Sequence, residues 1–220
     1  MKAITITNSK YQHLCYKSVK SFLLYNDIPV KIYFIGSEIE NTCLKNFSCK
    51  YIDYHPSDIP KEYKWCKSVL KEKLKVFLEQ TGDFLFFEND VFFYKTLDLS
   101  IFKPGISGVP EIADTRLDIL NAGFLVFKNA KLSYTVSDIQ SFIDSADFLP
   151  DEFFLSEFCS PLNFVGYDIC YLNGTRPFVP DPVCVHCYGE SKPFTGSKPL
   201  DLDKSKAFHI RKILKLFSKI

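Results

Sequence analysis

Two carboxylates close an apolar run in this 220-residue chain. Phe84-Leu-Phe-Phe87 leads straight into Glu88-Asn-Asp90, so the acids stand at i and i+2. A short, continuous apolar run of this kind suits a strand covered on both faces. Carboxylates at the end of a buried strand face a desolvation cost that a cation offsets. Hard oxygen ligands suit Mn2+ or Mg2+ bridging a diphosphate. Taken alone, Glu88 and Asp90 read equally well as an ordinary polar turn. A second group follows the apolar stretch Val183-Cys-Val185: His186-Cys-Tyr-Gly189-Glu-Ser-Lys192-Pro193-Phe194. A histidine at a strand end can complete a metal site. Gly189 lets backbone N–H groups approach a phosphate closely. Lys192 supplies positive charge to a diphosphate leaving group.

The same stretch contains Cys184-Val-His-Cys187, a CxxC. A zinc site needs a second ligand pair at similar spacing, and Cys43 and Cys49 make a poor one. Eight cysteines in a chain of this size, without an export signal, read as free and mostly buried thiols. The N-terminal MKAITITNSK reads as a first strand rather than a signal peptide. The expected setting is a cytoplasm.

The elements that must position these groups show in the hydrophobic periodicity. Residues 2–7 alternate and are β-branched, a strand. A helix is expected over 11–26, a strand over 30–36 and a short one over 49–54. Leu70, Leu74, Phe77 and Leu78 recur at helical spacing in an amphipathic helix over 62–80, which stops at Thr81-Gly82. Strand 84–87 follows. This order argues a mostly parallel, doubly wound α/β sheet flanked by helices. In such sheets ligands bind at the carboxyl ends of the strands, where Glu88 and Asp90 stand. Beyond it, 106–110 and 123–128 read as strands, 131–145 and 151–159 as helices, and 161–182 as strand and loop.

Hydrophobic residues make up 46% of the chain and charged residues 24%, which excludes a disordered chain. No apolar run approaches the roughly 18 residues of a spanning helix. The net charge of +1 carries no nucleic-acid signature. The charge is uneven, however. Residues 203–220 hold six basic side chains against Asp203, a net +5 that leaves −4 elsewhere. We read 1–203 as one domain and 204–220 as a basic amphipathic helix. Ile210, Ile213, Leu214, Phe217 and Ile220 fall on one side of it. Arg211, Lys212, Lys215 and Lys219 fall on the other, with Phe208 the outlier. Such a helix either packs on the body with its basic face in solvent or lies peripherally on an anionic membrane.

The run His186-x-x-Gly189-x-x-Lys192-Pro193-Phe194 resembles the C-terminal signature of the retaining GT-A glycosyltransferases of the glycogenin and lipopolysaccharide galactosyltransferase family. The resemblance spans residues 3–195. It implies a GT-A fold, and it implies Glu88, Asp90 and His186 as ligands of Mn2+ or Mg2+. The family's first carboxylate is Asp, so Glu88 departs by one methylene. Thr7, Asn8 and Tyr11 match the first-strand loop that holds uracil. Lys73 matches a basic residue that contacts the donor. Asn121-Ala-Gly123 matches the strand that lines the sugar pocket, while Gly189 and Lys192 match the diphosphate contacts. Asp151-Glu152 opens a helix in place of an Asp-Gln pair. There Asp151 would contact the donor sugar and Glu152 would lie near the anomeric carbon; either could be the nucleophile, or Glu152 could stabilise an ion pair attacked on the same face. The plainer reading of Glu152 is complementation of a helix dipole.

The activity so implied is transfer of a hexose from a nucleotide sugar, a UDP-sugar, to a glycan, glycolipid or glycoprotein acceptor, with retention. Two other readings are a non-catalytic nucleotide-sugar or glycan-binding module on the same fold, and a zinc-stabilised interaction domain.

Overall fold

The computed structural model describes residues 1–53, 64–111, 119–145, 151–173, 178–187 and 204–218. Gly189 and Lys192 therefore lie outside the described residues, as do Lys219 and Ile220. A seven-stranded sheet runs in the order β3-β2-β1-β4-β7-β6-β8. Its strands are β1 (Lys2–Asn8), β2 (Val30–Ile35), β3 (Ser48–Ile52), β4 (Phe84–Phe87), β6 (Gly105–Pro110), β7 (Leu120–Lys128) and β8 (Leu162–Phe164). Strands β3, β2, β1 and β4 are parallel neighbours. Strand β7 is antiparallel to β4 and β6, and β6 is parallel to β8. The sheet is thus mostly parallel, as expected.

Helix α1 (Gln12–Tyr25) joins β1 to β2, and α2 (Lys64–Leu78) lies between β3 and β4. They cover opposite faces. The run of β4 divides between them: Phe84 and Phe86 pack with Leu70, Leu74 and Phe77 of α2. Leu85 and Phe87 pack with Cys15, Val19 and Phe22 of α1. This two-sided burial explains why β4 is continuously apolar rather than alternating. The strand order reverses at β1, which has β2 on one side and β4 on the other. The crevice at the carboxyl ends of β1 and β4 is therefore the switch point where open α/β sheets bind ligands. Helices α3 (Val136–Ser145) and α4 (Asp151–Phe158) extend the α2 layer.

A second sheet of three strands, in the order β5-β10-β9, was not foreseen as such. It comprises β5 (Val91–Phe93), β9 (Cys170–Leu172) and β10 (Cys184–His186). Runs of three residues are too short for a period-2 pattern to register. One face of this sheet joins the α1 layer through Val91, Phe93, Cys170 and Cys184. The other, through Phe92, Tyr171 and Val185, meets α5 (Lys204–Phe217).

Helix α5 buries His209, Ile213 and Leu216, at i, i+4 and i+7, and leaves Phe208 and Leu214 exposed. The stripe expected from the sequence was thus rotated: Leu214 faces outward and Leu216 inward. Packing on the body takes the inward face. No described helix is long and apolar enough to cross a membrane.

Candidate active site

The carboxyl end of β4 delivers Glu88 and Asp90. The turn after it is closed by Val91 N–H donating to Glu88 O at 3.1 Å. It is tied sideways by Glu88 N–H donating to Gly123 O and by Cys187 N–H donating to Asp90 O, both at 2.9 Å. Those bonds bring β7 and β10 to the end of β4, and with them Gly123 and His186. One ligand atom each from Glu88, Asp90 and His186 lies within 4.8 Å of the others. Among the described residues this is the only such grouping of three His, Cys, Asp or Glu side chains. His186 Nε2 is 3.3 Å from Asp90 Oδ1 and 3.4 Å from Glu88 Oε2. Two carboxylates and one imidazole are a donor set that suits Mn2+, and also Mg2+ through its oxygens. The residues present therefore fit the expected ion.

Asp90 and His186 are almost completely buried. Burial alone would lower the His186 pKa, but the Asp90 and Glu88 carboxylates overcome it and raise it to about 10. Glu88 shows the converse. Burial opposes its ionisation, yet the Lys73 ammonium and the His186 ring hold it well below the usual carboxylate range.

Lys73 comes from α2 and is 4% exposed. Its Nζ donates to Glu88 Oε1 at 2.9 Å and Ala122 O at 3.0 Å, and pairs with Asp151 Oδ2. Burial would lower its pKa, but the two carboxylates raise it. The sequence placed Lys73 against the donor; here it bridges the metal-site carboxylate to the opening of α4. Glu152, next along α4, accepts weakly from Ala122 N–H at 3.5 Å. Burial, then the neighbouring Asp151 charge, raises its pKa to about 8 against the pull of Lys73.

Gly123 is required sterically. A Cβ there would fall inside contact distance of the His186 ring. Asn121 Oδ1 meets His186 Nδ1 at 2.9 Å and accepts from Gly123 N–H at 3.1 Å. Its Nδ2 donates to Glu111 Oε2 at 2.5 Å. Asn121, expected in the sugar pocket, is in contact with the His186 ring. Glu111 was missed: it stands just beyond β6, and nothing in its sequence context marks it.

Thr7 and Asn8 end β1, the strand directly beside β4. Asn8 Oδ1 accepts from Tyr11 N–H at 3.2 Å, closing the turn into α1. Thr7 is buried, whereas Asn8 and Tyr11 are partly open. Thr5 Oγ1 reaches Asn89 Oδ1 at 3.5 Å, linking β1 to the acidic turn. Cys184 and Cys187 do not join His186. Cys184 Sγ donates to Ile169 O at 3.4 Å, and Cys187 sits by Asn173.

No family model matches the chain, and no curated protein matches its sequence. Its likeness to solved structures is extensive. The galactosyltransferase LgtC, in complex with donor and acceptor sugar analogues, aligns over 100% of this chain and 96% of its own, at 14% identity and a TM-score of 0.68. GlyE of Streptococcus pneumoniae TIGR4, a glycosyltransferase, aligns over 100% of this chain and 64% of its own, at 15% identity and TM-score 0.60. Mouse xyloside xylosyltransferase 1 aligns over 84% and 96%, at 11% identity and TM-score 0.53. The chain has the GT-A fold. Within that fold the Glu88, Asp90 and His186 cluster stands where the GT-A sheet leaves its switch-point crevice, beside Asp151 and Glu152.

Proposed function

We propose that this chain is a metal-dependent glycosyltransferase that moves a hexose from a UDP-sugar to a glycan, glycolipid or glycoprotein acceptor, with retention. The observation that carries the reading is the convergence of Glu88, Asp90 and His186 at the switch point of a GT-A fold. Residues 1–203 form the catalytic domain in this reading.

Glu88, Asp90 and His186 would hold Mn2+, or Mg2+, which supplies Lewis-acid stabilisation of the departing diphosphate. Thr7, Asn8 and Tyr11, at the end of β1, receive the uracil. Gly189 and Lys192 contact the diphosphate from the segment after β10. Lys73 holds Glu88 and Asp151 in fixed positions, so that neither swings when the donor enters. Asp151 and Glu152 face the donor sugar from the first turn of α4. Burial and the Asp151 charge raise the Glu152 pKa to about 8, which favours a neutral carboxyl able to donate a hydrogen bond to the donor. Retention then follows one of two balanced paths. In one, Asp151 bonds to C1 as the C1–phosphate oxygen bond breaks, and the acceptor hydroxyl next displaces it, its proton passing to the released Asp151 carboxylate. In the other, the acceptor attacks on the face the diphosphate leaves, and its proton passes to the leaving oxygen.

Seven of the eight cysteines are found as free thiols, which favours a reducing, cytoplasmic setting. The outward face of α5 favours a peripheral membrane contact near a lipid-linked acceptor.

The test is calorimetric titration with UDP, with and without Mn2+, on wild type and Asp90→Ala. Binding that requires Mn2+ and is lost in the variant is the expected outcome. UDP binding that ignores both would overturn the metal site. Mn2+-dependent UDP binding without turnover of any UDP-sugar would favour the non-catalytic module.

A further inference from the structure

The three hydrogen bonds around Asn121 admit only one arrangement of protons. Glu111 meets Asn121 through a carboxyl oxygen that accepts from Asn121 Nδ2. The Asn121 NH2 must therefore face Glu111. Its carbonyl oxygen must then face Gly123 N–H, which can only donate. The same oxygen meets His186 Nδ1, so Nδ1 must carry a proton. That leaves Nε2 as the atom free to give up its proton and take a metal, and Nε2 is the atom aimed at Asp90 and Glu88. Gly123 completes the constraint, because the ring lies flat on the space where a side chain would begin.

We propose that Glu111 and Asn121 form an orienting relay that fixes the protonation and direction of the His186 ring, making Glu111 a positioning residue for the metal site. The inference rests on the metal reading above and deepens it. Ligating histidines are commonly held in this way by a carboxylate or carbonyl on the far nitrogen. Here the carboxylate acts one step further out, through an amide whose orientation it sets. Asn121 lies on β7 and His186 on β10, so the relay also couples the large sheet to the small one at the site.

The test exchanges the two polar groups. Asn121→Leu removes the acceptor, and Mn2+ affinity, read by electron paramagnetic resonance of free Mn2+, should fall about 10–100-fold. Asn121→Asp alone sets two carboxylates against each other and should weaken Mn2+ binding by a similar factor. Glu111→Gln combined with Asn121→Asp restores one donor to one acceptor, and should return affinity to within about threefold of wild type. A second readout needs no metal. In the metal-free protein the His186 Nδ1 proton should appear as a downfield, slowly exchanging NMR signal. It should persist in wild type and the double variant and vanish in Asn121→Leu. Thermal unfolding confirms that each variant is folded. The relay is overturned if folded Asn121→Leu binds Mn2+ as wild type does, or if the double variant binds no better than Asn121→Asp. If wild type shows the Nδ1 signal but binds no Mn2+, the metal reading falls and the relay itself stands.

Discussion

His186 and His209 are equally hidden, at 3% and 0% exposure, yet their environments drive them in opposite directions. His186 faces two carboxylates and is pushed up to about 10. His209 lies on the inward face of α5 among rings: Tyr171 at 4.8 Å, Phe208 at 5.2 Å and Phe178 at 5.4 Å. Burial drives its pKa down to about 4, against one bond to Val179 O and with a small push from Lys212. The seam under α5 shows what this fold does with an imidazole by default: it keeps it neutral. Among the described residues, it is at the carboxyl end of β4 that an imidazole is set against carboxylates, the buried Asp90 and the partly exposed Glu88. Such concentration of charge has a desolvation cost with no packing benefit, the pattern the proposed function calls for at that end.

The strongest way to break the contrast is to remove the charge partner. Asp90→Ala should cost Mn2+ affinity at least about 100-fold, beyond what loss of an orienting group costs. It should also bring the His186 pKa down, since burial remains while one of two carboxylates goes. Imidazole NMR against pH measures this directly. A His186 pKa still near 10 in the variant would mean that Glu88 alone sustains the charge.

The two histidines also predict opposite slopes of stability with pH in the metal-free protein. His186 is raised, so its contribution is complete below about 6.5 and is lost as pH climbs through about 10. His209 is lowered, so its contribution is complete above about 6.5 and is lost as pH falls through about 4. Each is worth on the order of a few kcal/mol. His209→Leu should flatten the acid side in urea denaturation at pH 4 and 7 and leave Mn2+ binding intact. An unchanged acid side would show that carboxylates, not His209, control it.

Glu152 sharpens the same comparison inside the site. Its carboxyl is raised to about 8, so stability should decline as pH rises from about 4.5 through 8. Glu152→Gln should remove that decline. In the proposed mechanism the neutral acid is the working form, so the variant should keep turnover within about tenfold at pH 7. Loss of nearly all turnover, with the fold intact, would make Glu152 the nucleophile instead.

The two regions differed in how far the sequence revealed them. The site's framework was plain because long, regular elements carry it. The β1-α1-β2-β3-α2-β4 order matched, and β4 matched residue for residue. Glu88, Asp90 and His186 were found from their types and flanking runs, and they do converge. What failed to show were contacts across the chain. The bridge from Lys73 to Asp151 spans two helices. The Glu111–Asn121–His186 chain joins three separate segments. Spacing along a sequence cannot encode such meetings. Under α5 the limit was angular: a 14-residue helix has apolar residues around much of its girth, and tertiary packing chose 209, 213 and 216 over the stripe containing Leu214.

That rotation yields the smallest predicted effect. With its inward face spent on His209, Ile213 and Leu216, α5 turns Phe208, Arg211, Leu214 and Lys215 outward. Lys212 is drawn aside by Asp181 at 2.9 Å. Two exposed apolar side chains among uncompensated cations are chemistry for an anionic bilayer, where each cation near the surface contributes about 1 kcal/mol. Arg211→Glu or Lys215→Glu should each weaken binding to phosphatidylserine vesicles several-fold, and Phe208→Ser should weaken it further at high salt, where charge is screened. Turnover with a water-soluble acceptor should not change. Vesicle binding indifferent to all three substitutions would leave α5 with its inward role alone, a clamp over the small sheet that carries His186.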